Sequence, residues 1–168
     1  MHNFRNLAFI RIMLHEVAAI LFSLALVGCS SSPPVQSSHV TGPLLSDFHQ
    51  SISAPAPPAR MSLGQKYLLD GVIVKNTGEQ TWQARGDNQV ELTYDWMTPD
   101  GKLVHHGLVT VLPADVKPGQ SVPLVATIVA PETPGHYVIR FTMIAEKIAW
   151  FSDMGGTFVD YPVEAVPQ

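Results

Sequence analysis

The sequence is poor in several features that would narrow its chemistry. A single cysteine in 168 residues excludes an internal disulfide and a multi-thiolate zinc site. Only 14% of the residues are charged, and the formal net charge is -4. No basic surface is available to neutralise a run of phosphates, so nucleic acid is not an expected partner. Beyond residue 60 no apolar pattern repeats every 3.6 residues between caps, and the 14 prolines argue against a helical bundle. There is no Gly-x-Ser-x-Gly elbow and no His-x-His spacing, so neither a hydrolase nor a metal enzyme is expected.

What is present begins with an address. Arg5 and Arg11 form a positive leader and Val17 to Gly28 an uncharged apolar run, the pattern of a secretory signal over residues 1–28. The run stops well short of the roughly 20 residues that cross a bilayer. Extending it back to Leu7 would bury Arg11 and Glu16, at about 2.5 to 3.5 kcal/mol each. An uncleaved anchor is the alternative.

The segment Leu26-Val27-Gly28-Cys29 resembles the lipobox of bacterial lipoproteins. The resemblance implies that the signal is cut before Cys29, which then carries a diacylglyceryl thioether and an acylated amino group. Several acyl chains, at ~0.8 kcal/mol per buried CH2, would hold the chain on a membrane. Ser30 follows where an aspartate would favour inner-membrane retention, so the resemblance points to the cell envelope and the outer membrane. The remainder of the chain is acidic, leaving membrane attachment to the lipid alone. No cofactor is expected beyond that covalent lipid.

Residues 29–60 are rich in Ser, Pro and Ala and read as a tether. They contain too little apolar surface to offset chain entropy. Within them Leu44, Leu45 and Phe48 form a small apolar island able to dock on a neighbouring domain.

From residue 61 to 168 the apolar period is two. Val90, Leu92, Tyr94 and Trp96 fall on one face of a strand and Glu91, Thr93 and Asp95 on the other. Pro99-Asp100-Gly101 signals a turn, with a return over Leu103 to Leu112. Val122, Leu124, Ala126 and Ile128 line a further strand, and Tyr137, Ile139, Phe141, Met143 and Ala145 another. With Tyr67 to Asn76, Thr157 to Val166 and a short edge near Met61 to Leu63, about seven strands result. The pattern predicts an all-β antiparallel sandwich.

Val72 to Trp82 (VIVKNTGEQTW), Tyr94-Asp95-Trp96, Leu112-Pro113 with Val116 to Gly119, Pro131 to Tyr137, and Trp150-Phe151 before Gly155-Gly156 together resemble an immunoglobulin-like module. They are similar to the four-tryptophan immunoglobulin-like domain of autophagy receptors, and more so to accessory modules of bacterial envelope proteins and glycosyltransferases. This chain has only Trp82, Trp96 and Trp150, so a site requiring a fourth tryptophan does not transfer. The resemblance implies a non-catalytic module that binds or positions an envelope protein.

Three local features bear on a site. Adjacent His105 and His106 point to opposite faces of a strand and cannot jointly chelate a metal. Arg85-Gly86-Asp87 spells an adhesion tripeptide, but Gly86 and Asp87 suffice as a turn. Trp150 and Phe151 are the candidate contact residues: neighbouring rings in a connection ending in two glycines, one facing inward and one presented to a partner protein or a sugar ring.

Overall fold

The alternating segments become antiparallel ladders in the computed structural model, which describes residues 44–168. The strands are β1 (Gln50–Ser53), β2 (Arg60–Ser62), β3 (Lys66–Asn76), β4 (Val90–Met97), β5 (Leu103–His106), β6 (Thr110–Val111), β7 (Ser121–Val129), β8 (Gly135–Ala145), β9 (Ala149–Trp150) and β10 (Val159–Val166). A single 3-10 turn, Ser152–Met154, lies between the last two. One sheet has the order β1-β3-β7 and the other β2-β10-β8-β4-β5, with β6 also on β4 and β9 on β8. Only β2 and β10 run parallel among these pairings.

This partition defines the fold. In an immunoglobulin sandwich the first, second and fifth strands share one sheet and the third, sixth and seventh form the other. Here the leading segment, β3 and β7 oppose β4, β8 and β10, and the leading segment is divided, β1 joining one sheet and β2 the other. The fold is an immunoglobulin-like antiparallel β-sandwich. The expected count of about seven strands becomes ten because β1 and β9 were not anticipated and the return after β4 breaks into β5 and β6.

The break has a steric cause. A Cβ on Gly107 would lie 2.2 Å from the Tyr94 ring, so the edge passes directly over that ring and bends there.

The inner faces follow the sequence alternation. Val90, Leu92, Tyr94 and Trp96 of β4 meet Ile139, Phe141 and Met143 of β8 and Leu124, Ala126 and Ile128 of β7 in one buried cluster. The two polar aromatic atoms of β4 also close a sheet edge. Tyr94 Oη accepts the Val129 N–H at 2.8 Å, and Trp96 Nε1 donates to the Val129 carbonyl at 2.9 Å.

The expected tether boundary at residue 60 is corrected. Residues 44–60 belong to the sandwich: Leu45, Phe48 and Ile52 lie in its core, and β1 pairs with the end of β3 from Gln50↔Asn76 to Ser53↔Ile73. Composition concealed this because polar residues supply much of the attachment. Gln80 Oε1 accepts the backbone N–H groups of Ser46 (2.7 Å) and Asp47 (2.9 Å). The Asp47 carboxylate accepts the Glu79 N–H, a bond that, with its His49 partner, holds its pKa below the ordinary value. The signal segment and Cys29 lie outside the described residues.

Candidate functional site

The connection after β8 separates its two aromatic rings. Phe151 is fully buried, packed edge-on against Phe48 (centroids 5.3 Å) and Trp82 (5.6 Å). Its expected role as a contact residue is therefore corrected: the newly recognised 44–53 segment covers it. The adjacent Gly156 permits this closure, since a Cβ there would meet the carbonyl oxygens of Phe48 and Phe151 at 2.6 and 2.7 Å.

Trp150 turns the other way, onto the outer face of the larger sheet. Its ring is partly exposed and stacks on His106 of β5 with centroids 4.4 Å apart and planes inclined by 28°. His106 Nδ1 is also 2.7 Å from Asp95 Oδ1 on β4. Burial raises the Asp95 pKa, and the His106 hydrogen bond opposes that rise. His105, by contrast, is exposed and outside this cluster, as strand alternation requires.

Register extends the cluster across four strands. His106 lies opposite Asp95, Asp95 opposite Arg140, and Arg140 opposite Asp160. Arg140 binds Asp160 through two nitrogens, at 2.9 and 2.8 Å, and this bond raises the Arg140 pKa. The same guanidinium lies 3.7 Å from the centroid of the exposed Phe158 ring. A second row places Val111, Glu91, Ile144 and Trp150 side by side. Glu91 is only 2% exposed. Its Oε1 accepts from Gln89 at 3.1 Å, while its Oε2 and Trp150 Nε1 are buried without a hydrogen-bond partner among the described residues. Desolvation, followed by the nearby Glu146 charge, raises the Glu91 pKa.

This face carries aromatic and charged groups at fixed spacing, a pattern suited to recognition. Sequence alternation placed Asp95 and Arg140 on the outer faces of their strands, but their meeting depends on the β4–β8 register. Among the described residues no group of three or more His, Cys, Asp or Glu side chains is arranged to hold a metal ion. The Arg85-Gly86-Asp87 tripeptide sits in a turn with Gly86 at φ 104°, and Asp87 accepts from Lys147 at 3.3 Å.

No family model and no curated protein matches this chain. Solved structures similar to it include the CARDB domain of PF1109 from Pyrococcus furiosus, with 15% identity, a TM-score of 0.39, and coverage of 71% of this chain and 94% of that one. A β-glucosidase from Listeria innocua in complex with isofagomine gives 10% identity and a TM-score of 0.43 over 71% of this chain and 16% of the other. The Pseudomonas fluorescens alkylpurine DNA glycosylase AlkC bound to DNA containing an abasic site analog gives 14% and 0.41 over 70% and 30%. At these scores the likenesses carry no functional weight, and the strand order alone defines the fold.

Proposed function

We propose that the chain is a lipid-anchored, non-catalytic module of the bacterial cell envelope, held on the outer membrane through Cys29, that binds or positions an envelope protein. The contact surface is the outer face around Trp150. The observation that carries this reading is the Trp150–His106 stack, an aromatic pair presented beside a four-strand row of charges on the sheet face that points away from the core. Half-exposed aromatic rings beside hydrogen-bonded charges are the usual anchors of protein interfaces.

A glycan is the second reading, favoured by the aromatic ring beside the carboxylates of Asp95 and Asp160. Protein is preferred because His106 already occupies one face of the indole and Trp150 Nε1 is buried, which leaves less of the ring for a sugar. Glycan-array binding lost with Trp150→Ala would reverse that preference. Anchoring is tested separately by Cys29→Ala. The expected result is release from the membrane fraction and loss of the globomycin-sensitive mobility shift. Continued membrane association without any such shift would refute the lipid anchor.

A further inference from the structure

We infer that the β5–β6 edge is a self-association surface, on which a second copy of this chain adds its own edge antiparallel to the first. An edge strand turns every second N–H and C=O outward, so its natural occupant is another extended strand. The other edges are blunted. At β7 the Val129 backbone is bound by Tyr94 and Trp96, and Pro123 interrupts the strand. At β2, only three residues long, the Ser62 N–H donates to Tyr67 Oη at 2.7 Å. At β1, four residues long, the Ala54 carbonyl just beyond the strand accepts from Tyr161 Oη. Among the described residues no side chain caps the backbone of residues 103–106 in this way.

The edge is also apolar. Leu103, Val104, Leu108, Val109 and Val111 are 42% to 56% exposed, and no charged residue occurs between Lys102 and Asp115. Together they present on the order of 400 Å² of aliphatic surface, a size that on a monomer often marks a partner site.

Charge selects a second copy as the occupant. With Leu108 and Val109 at the two-fold axis, aliphatic residues meet aliphatic residues, and Lys102 of one copy approaches Asp115 of the other. No like charges are set opposite each other, and the contact is isologous, the commonest form of homo-oligomer. Burying this strip on both copies removes roughly 800 Å², below the ~1,200 Å² of stable specific complexes. Self-association is therefore weak and concentration-dependent.

The test uses the full chain in excess detergent micelles with a photo-crosslinking residue at position 104, and at position 125 on β7 as control. Crosslinking at 104 is expected to give a species of twice the chain mass that increases with concentration, with little at 125. Val109→Lys in both copies should reduce it at least tenfold without lowering the melting temperature. Mixing Val109→Lys with Val109→Glu chains should restore it. Three outcomes would overturn the inference: no dimer up to about 1 mM, equal crosslinking from 125, or no restoration in the mixture. Crosslinking at 104 in intact cells to a different protein alone would assign the edge to a foreign strand and overturn it equally.

Discussion

Trp150 and Phe151 are adjacent in the chain and opposite in role, and their environments determine how each responds to substitution. Phe151 is enclosed by Phe48 and Trp82, so Phe151→Ala removes a buried ring and leaves a cavity, at about 3 to 5 kcal/mol. Thermal unfolding should show a marked loss of stability. Trp150→Ala removes a partly exposed ring and should cost considerably less in the same measurement while removing the aromatic contact surface. Equal losses would mean that both rings are structural. The sequence placed one ring inward and one outward. It could not tell which, because the cover over Phe151 comes from a segment whose composition resembles a tether.

Glu91 provides a pH signature. Its pKa is raised mainly by desolvation, so the folded chain binds the proton more tightly than the unfolded chain. The associated stability is fully present below the ordinary glutamate value of 4.5 and is lost as pH rises through the raised folded value. Glu91→Gln is therefore expected to melt higher than the native chain at pH 7. That advantage should shrink below about pH 4, when both side chains are neutral. An advantage that is constant with pH would assign the effect to packing.

At the scale of elements, the informative piece is the β1 segment. Gln50 is buried, and its amide completes the edge of β8: Oε1 accepts the Met143 N–H at 2.9 Å, while Nε2 donates to Thr142 Oγ1 at 3.0 Å and to the Thr157 carbonyl. A chain starting at residue 61 loses this amide, the pairing with β3 and the cover of Leu45, Phe48 and Ile52. Each buried side chain is worth roughly 1.5 to 3 kcal/mol, so that chain should be unfolded or strongly destabilised. A chain starting at residue 44 should unfold cooperatively, and equal melting temperatures for the two would contradict the role given to β1.

The long strands were readable because each keeps period two over many residues with one face buried. The β1 segment was not: its Gln-Ser-Ile-Ser contributes one aliphatic side chain and one polar bracket, and nothing local announces a glutamine that substitutes for a strand. Asn76 was legible as the start of a turn. Its second role, donating to the Gln80 and Val116 carbonyls at 2.7 and 2.9 Å, depends on a residue 40 positions away.

Across the whole molecule, a sandwich with one densely packed interior carries a patterned outer face on β5, β4, β8 and β10. Strand alternation assigned Asp95 and Arg140 to outer faces, and register alone brings His106, Asp95, Arg140 and Asp160 into a line. That information is non-local, and so the site was only half legible while the architecture was largely so. If this face holds a partner, Met154, exposed beside Trp150, is close enough to report it. The most direct measurement is photo-crosslinking from position 154 of the full chain in intact cells, compared with position 68 on the opposite sheet. The expected result is a discrete protein adduct from 154 that is absent from 68 and lost with Trp150→Ala at unchanged thermal stability. The same adduct from both positions, or one that survives Trp150→Ala, would contradict the assignment of this face as the contact surface.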